Sequence, residues 1–285
     1  MAGQLTFSIE LFPPRERAGM APFVETVGRL NTLGPAFCSV TYGAGGTTQA
    51  GTEAALGRLF DLGVAMPTGH LTCAGQGMSG VIGTARCWRE RGIRHIVALR
   101  GDAAGADTGG EDAFTGAAEL VAALRQIGVP EISVACYPEV HPRSTGREAD
   151  LAYLKRKIDA GATRALSQFF FDPEAFLRFR DAAHRAGIDA PLVPGILPIH
   201  DLNRVGILAE KCGAAVPSRV RDRLSQLDAD PEARGQVAVS LAVGLCERLI
   251  QEGVRSFHFY TLNRPTMTLA ICRAIGIQPA IELAA

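Results

Sequence analysis

Eight strand-like apolar runs recur along the chain, near 5–12, 37–42, 66–73, 94–100, 131–137, 164–171, 191–196 and 255–262. Helical stretches separate them, near 22–33, 48–62, 79–91, 113–127, 148–160, 173–186 and 201–211, with another near 265–275 after the last strand. Strands joined through helices cannot pair as hairpins; a crossover returns the chain to the same edge and makes the sheet parallel. Units of roughly 25 to 35 residues through most of the chain suit a (β/α)8 TIM barrel, which needs roughly 250 residues. An open doubly wound sheet has the same alternation, and spacing alone does not separate the two. Segments near 217–226 and 231–252 add an extra helix or two before the last strand. No internal linker divides the chain, so 1–285 reads as one catalytic domain. The most loop-like insertion, 103–110, follows the fourth strand.

Composition narrows the setting. Lys plus Arg and Asp plus Glu balance at 29 each, which removes a bulk electrostatic case for nucleic acid or an anionic membrane. No apolar run reaches the roughly 18 residues of a membrane span, and the N-terminus lacks the pattern of a secretory signal. Seven cysteines, at 38, 73, 87, 136, 212, 246 and 272, are odd in number and widely spaced. That favours reduced thiols and a cytoplasmic location over a disulfide frame. His70 and Cys73 find no second ligand pair at zinc-like spacing, so no metal is expected.

Glu10 is the anomaly. Phe7, Ile9 and Leu11 alternate with Ser8, Glu10 and Phe12, the period of a strand with two unlike faces, and Pro13-Pro14 stops it. A carboxyl sunk among apolar residues either pairs with a cation or keeps its proton, and a carboxylic acid protonated near neutral pH is what a general acid requires. The strand alone leaves both readings open.

In a barrel, chemistry gathers where strands end, and these ends are polar. Strand four closes on Arg100-Gly101-Asp102, with Gly101 allowing a sharp turn; a local ion pair explains the two charges as well as a site does. Tyr137 and His141 bracket a stretch stiffened by Pro138 and Pro142, an arrangement that fixes both rings. Gln168 lies beside phenylalanines 169–171 and needs partners there. Tyr260 and Arg264 sit toward the mouth on strand eight, whereas His258, sharing a face with Ser256 and Tyr260, reads as a core residue. The run Gly43-Ala-Gly-Gly-Thr-Thr48 departs from G-x-G-x-x-G and reads as a tight turn more readily than as a phosphate cradle. Asp150, Arg156 and Lys157 fall on a helix, where solvated charges are the default.

Nine blocks, in order from about residue 7 to 264, resemble the bacterial methylenetetrahydrofolate reductases. They are Ser-Ile-Glu-Leu-Phe-Pro-Pro-Arg, Val-Thr-Tyr-Gly-Ala-Gly-Gly-Thr-Thr, His-Leu-Thr-Cys, Ile-Val-Ala-Leu-Arg-Gly-Asp, Tyr-Pro-Glu-Val-His-Pro, Leu-Lys-Arg-Lys-Ile-Asp-Ala-Gly-Ala, Gln-Phe-Phe-Phe-Asp, Pro-Gly-Ile-Leu-Pro-Ile and His-Phe-Tyr-Thr-Leu-Asn-Arg. The resemblance implies an FAD-dependent barrel that interconverts 5,10-methylene- and 5-methyltetrahydrofolate by hydride transfer through flavin N5. NADH or NADPH would be the electron donor.

It also implies roles. Glu10 becomes the general acid that opens the folate's five-membered ring, and Asp102 the carboxylate that binds the pterin and sets charge near the flavin. Gln168, Arg204, Tyr260 and Arg264 become substrate contacts. Thr41, His70, Arg100, Gly101, Asp102, Tyr137, His141, Asp150, Arg156 and Lys157 become FAD contacts, which reverses the solvated-helix default. Three positions depart from the family pattern: Tyr153 replaces an Asn beside the FAD, Arg204 a Gln at the substrate, and Leu208 a Phe that stacks on the nicotinamide nucleotide. A homo-oligomer without nucleic-acid or membrane partners is expected. Two rival readings are another flavin barrel, such as a proline-dehydrogenase-like enzyme, and a non-catalytic folate-binding protein. Gln168 and Arg264 favour folate over the first, and bound flavin would separate the family reading from the second.

Overall fold

The computed structural model describes residues 4–42, 49–101 and 113–278. Within them eight parallel strands close into a barrel in sequence order: β1 (Thr6–Leu11), β2 (Cys38–Val40), β3 (Pro67–Thr72), β4 (His95–Leu99), β5 (Glu131–Cys136), β6 (Arg164–Phe169), β7 (Leu192–Ile196) and β8 (Ser256–Tyr260). The closing pair runs from Thr6 opposite Ser256 to Glu10 opposite Tyr260. Closure decides between barrel and open sheet, which spacing alone does not.

Helices α1 (Met20–Asn31), α2 (Gln49–Asp61), α3 (Met78–Glu90), α4 (Ala117–Gln126), α5 (Arg147–Asp159), α6 (Pro173–Arg185) and α7 (Leu202–Cys212) return the chain between strands. The two additional helices are α8 (Ser218–Ser225) and α9 (Pro231–Gln251), and α10 (Pro265–Ala274) follows β8. Proline occupies the first turn of α6, α9 and α10, where its missing N–H costs nothing. Asp201 and Asp230 cap α7 and α9 by accepting backbone N–H groups.

The two faces of each strand do different work. Phe7, Ile9, Leu11, Phe257 and Phe259 point outward and are buried under the helices with Phe23, Val27 and Leu30. Each such side chain contributes about 1.5–3 kcal/mol by leaving water. Inside the barrel, Phe37, Val97, Leu166 and Val193 form a small apolar layer. The neighbouring interior layer is polar. Ser8 Oγ lies 2.8 Å from His258 Nδ1, while His95 reaches Thr68 Oγ1 at 3.0 Å and Ser133 Oγ at 2.7 Å. His258 is thus a core residue, stacked on Phe37.

Every strand is one to three residues shorter than expected, β2 and β8 by three. β2 spans three residues, although Thr41 N still donates to Leu11 O at 3.0 Å. β6 ends at Phe169, and its register against β7 shifts between Leu166 and Phe169. There Ser167 Oγ accepts the Gly195 N–H at 2.9 Å, so a side chain stands in for the ladder. The α4 helix starts at Ala117 rather than near 113, after Gly116 at its N-cap.

Candidate active site

Glu10 is the last interior-facing residue of β1, with Ser39 beside it on β2 and Tyr260 beside it on β8. Its Oε2 lies 3.6 Å from Nε2 of His70 on β3. Burial raises the Glu10 carboxyl to about 8 and lowers the His70 imidazole to about 3. The charged form of each group has lost its water without gaining a countercharge. At neutral pH the pair is therefore a carboxylic acid facing a neutral imidazole, not an ion pair. Of the two readings that the strand leaves open, a paired carboxylate and a protonated acid, burial of the carboxyl bears on the second, and among the described residues no Lys or Arg pairs with Glu10.

Tyr260 closes the same side. Its hydroxyl donates to Ser167 O at 2.7 Å, and burial, then the nearby Glu10, pushes the phenol well above its ordinary range. Gly195 makes room for this contact: a Cβ there would lie 2.2 Å from Ser167 O and 2.5 Å from Tyr260 Cε2. Gln168 sits within the register shift, and its Oε1 accepts the Phe169 N–H at 2.9 Å. Bulges of this kind re-aim side chains beside active sites.

A second group of expected contacts assembles at the end of β5. Tyr137 and His141 meet edge to face at 4.5 Å, and Asp150 accepts the His141 N–H at 3.2 Å. Arg147, which sequence reasoning passes over, donates to the carbonyls of Tyr137 and Pro138 and so fixes that loop. On α5, Lys157 is buried, donates to Ala135 O, and is lowered to about 8 by that burial. Arg156 and Lys157 both lie over the Tyr153 ring, at 4.9 and 5.1 Å, and the Tyr153 hydroxyl accepts the Ala117 N–H at 3.0 Å.

The other expected positions are dispersed around the mouth. Thr41 follows β2, its carbonyl accepting from Thr52 Oγ1 at 2.9 Å. Gly101 turns at φ +84 after β4, where a Cβ would come within 2.8 Å of Thr72 Cβ. The Arg100 side chain is exposed, and its carbonyl accepts from Cys73 and Ala74. Arg204 is exposed on α7, 3.6 Å from its helix cap Asp201. Arg264 caps α10 and is close enough to His200 to help depress that imidazole to about 4, after burial. His200 is a residue that sequence reasoning misses, although it directly follows the Pro-Gly-Ile-Leu-Pro-Ile block. Asp102 and the run 43–48 lie outside the described residues. Among the described residues no cluster of metal-ligating side chains occurs, and no helix is long and apolar enough to cross a membrane.

A closed parallel barrel with a buried carboxyl and convergent polar groups at the C-terminal strand ends defines the class as a (β/α)8 enzyme. The family model for methylenetetrahydrofolate reductase matches residues 1–276. The chain is 41% identical over 281 residues to the 5,10-methylenetetrahydrofolate reductase of Pectobacterium carotovorum, covering 99% of this chain and 93% of that one. It is 40% identical over 279 residues to the Escherichia coli enzyme, covering 98% and 93%. This chain therefore belongs to the methylenetetrahydrofolate reductase family and is an enzyme of that class, as its motifs imply.

Among solved structures, a Clostridium thermocellum protein described as binding two copies of 5-methyl-5,6,7,8-tetrahydrofolic acid superposes with a TM-score of 0.66. The identity is 14%, over 96% of this chain and 94% of that one. Dihydropteroate synthase from Thermus thermophilus gives 0.51 at 16% identity, over 96% of each chain. At such identities these likenesses describe the fold.

Proposed function

We propose that this enzyme interconverts 5,10-methylene- and 5-methyltetrahydrofolate with FAD as its resident cofactor and Glu10 as general acid. The observation that carries the reading is Glu10 itself: a carboxyl raised to about 8 at the mouth of a barrel, next to a neutral His70. An acid that holds its proton at neutral pH can deliver it to the N10 nitrogen of the folate. The five-membered ring then opens to an iminium whose exocyclic carbon accepts hydride.

The residues present fit a flavin. Thr72 Oγ1 is buried at the end of β3 without a hydrogen-bond partner among the described residues, and a buried polar atom of this kind calls for a ligand. His70, Thr41, Arg100 and Gly101 would line the ring side, with Asp102 assigned there by the resemblance. Tyr137, His141, Asp150, Arg156 and Lys157 would hold the remainder, the two cations toward the pyrophosphate. Bound there, FAD would supply the hydride through N5. A nicotinamide nucleotide, NADH or NADPH, would restore it.

For the substrate, Gln168, Tyr260, Arg204 and Arg264 join Glu10. The amide at the β6 shift can read a pterin or a nicotinamide edge in turn, and Arg264 can meet the glutamate tail. The Clostridium thermocellum neighbour, which binds methyltetrahydrofolate, lends the folate reading further support.

The test is a pair of half-reactions. The purified protein is expected to be yellow, to bleach with NADH or NADPH, and to recover its colour with methylenetetrahydrofolate. Glu10→Gln is expected to keep its flavin and still bleach, yet to fail at the second step. Normal folate turnover by Glu10→Gln would remove Glu10 from the mechanism, and a protein that binds no flavin when FAD is supplied would remove the cofactor.

A further inference from the structure

Three histidines point into this barrel, and two of them are tied. His95 uses both ring nitrogens, on Thr68 and Ser133, and His258 shares its Nδ1 with Ser8. The Nε2 atoms of His70 and His258 are both buried without a hydrogen-bond partner among the described residues, and of the two it is His70 that faces a carboxyl. Among the described residues the nearest acidic oxygen is Glu10 Oε2 at 3.6 Å, a few tenths of an ångström beyond hydrogen-bond reach.

We propose that His70 is the positioning residue for the Glu10 acid, its Nε2 accepting the carboxylic O–H and holding that proton at the barrel mouth until folate arrives. This rests on the reading of Glu10 as the general acid. A buried Nε2 without a partner is costly, and a small side-chain rotation brings the carboxylic O–H within its reach. Catalytic hydrogen bonds are often long before substrate binds and tighten in the complex. With Nε2 accepting, the ring carries its proton on Nδ1.

The sign of the effect follows from that tautomer. An imidazole lone pair aimed at Glu10 favours the acid and disfavours the carboxylate, because an O–H can donate to it and a carboxylate cannot. The other groups facing Glu10 do not reverse this. Tyr260 on β8 donates its proton to Ser167, His258 one layer below is neutral with its imidazole near 3, and Ser39 on β2 donates to the Ile9 carbonyl. No cation among the described residues pairs with the Glu10 carboxyl. When Glu10 gives its proton to the substrate nitrogen, the resulting carboxylate faces the lone pair and regains a proton from water after product leaves.

The experiment compares the flavin-loaded parent with His70→Leu and His70→Asn. The carbonyl stretch of protonated Glu10, assigned by its loss in Glu10→Gln, is followed by difference infrared spectroscopy alongside the pH profile of single-turnover folate reduction. In His70→Leu the band is expected to move to higher frequency as the acid loses its acceptor. The turnover rate is expected to fall by about tenfold or more with little change in KM for folate. In His70→Asn the amide can donate to the carboxylate, and the basic limb of the profile is expected to move down by about one pH unit. Should the leucine variant not fold, the asparagine arm decides.

A folded variant whose band and basic limb match the parent overturns the proposal. So does loss of flavin with the band unmoved, which would make His70 a cofactor contact and nothing more. Normal folate turnover by Glu10→Gln, by contrast, defeats the general-acid reading and leaves the infrared test of the pairing intact.

Discussion

The Tyr260 hydroxyl on β8 donates to the Ser167 carbonyl on β6 at 2.7 Å, reaching across β7, which stands between those strands. It can do so because Gly195 on β7 carries no side chain where the ring passes. The bond pins the register shift that presents Gln168.

Tyr260→Phe keeps the ring and removes the donor. Ser167 O is then left without it, and the expected loss is about 1–3 kcal/mol in denaturant unfolding. Folate KM should rise because Gln168 is less firmly held, with flavin content unchanged. Gly195→Ala should do worse, since its Cβ meets backbone rather than a movable side-chain end; overpacking costs about 1–3 kcal/mol and more where backbone must shift. Equal stability of parent and Gly195→Ala would show that β6 and β7 separate easily.

Stability against pH has a shape set by the interior groups. His70, His95 and His258 are each lowered from 6.5 to about 3 by burial. The unfolded chain binds protons there that the folded one refuses, so each contributes stability that is present above 6.5 and is lost as pH falls toward 3. Glu10 has the opposite sign. Raised from 4.5 to about 8, it favours the folded state below 4.5, and that contribution is lost as pH rises to 8. His200, lowered to about 4 chiefly by burial, joins the three histidines, so between 4.5 and 6.5 four groups oppose one and unfolding should take up about three protons. The slope of unfolding free energy against pH, measured by urea titration from pH 8.5 to 4.5, checks this. Glu10→Gln should stabilise the protein at pH 8.5 relative to the parent, by on the order of 4 kcal/mol, and by little at pH 4.5.

Asn263 clamps the end of the barrel where its first and last strands meet. Its Oδ1 accepts from Phe12 N at 2.9 Å and its Nδ2 donates to Phe12 O at 2.8 Å, from a backbone at φ +56. Asn263→Gly keeps the backbone and loses both bonds, while Asn263→Ala also meets the left-handed strain. The expected costs are about 1–2 kcal/mol for glycine and roughly 1 kcal/mol more for alanine, read by chemical denaturation. Equal losses in both variants would mean that the clamp, not the backbone, carries the whole effect.

The fold is legible in the sequence because local patterns suffice for it. The alternation of Phe7, Ile9 and Leu11 with Ser8 and Glu10 sorts outward from inward residues by period alone, and eight such units separated by helices leave few topologies. Closure of β8 on β1 is not legible, since it joins residues about 250 positions apart. The site is readable as residue types at strand ends and not as geometry. Glu10 announces itself by its chemistry in an apolar strand, but its approach to His70 depends on where β1 and β3 stand around the barrel. The β6 shift is hidden because a serine hydroxyl replaces a ladder bond there, which no periodicity records. His200 offers no local signal. Asn263 offers one, since asparagine tolerates the left-handed region that this turn uses.

Leu208 supplies the last test, of the electron donor. It lies on α7, partly buried against the apolar group that includes Phe169, Phe171, Leu197 and Tyr260, at the position where the family pattern has a phenylalanine. An aromatic ring there would add stacking worth roughly 1 kcal/mol to a bound nicotinamide nucleotide, about a fivefold gain in affinity. Leu208→Phe is therefore expected to lower KM for NADH or NADPH several-fold in stopped-flow bleaching of the flavin, with folate kinetics and flavin content unchanged. Because the side chain is only partly buried, the larger ring should cost less than the roughly 1–3 kcal/mol of a packed core, and unfolding measurements separate that cost from the kinetics. A variant with unaltered affinity for both nucleotides would put the donor on another surface of the barrel mouth, or assign the reduction to a different electron source.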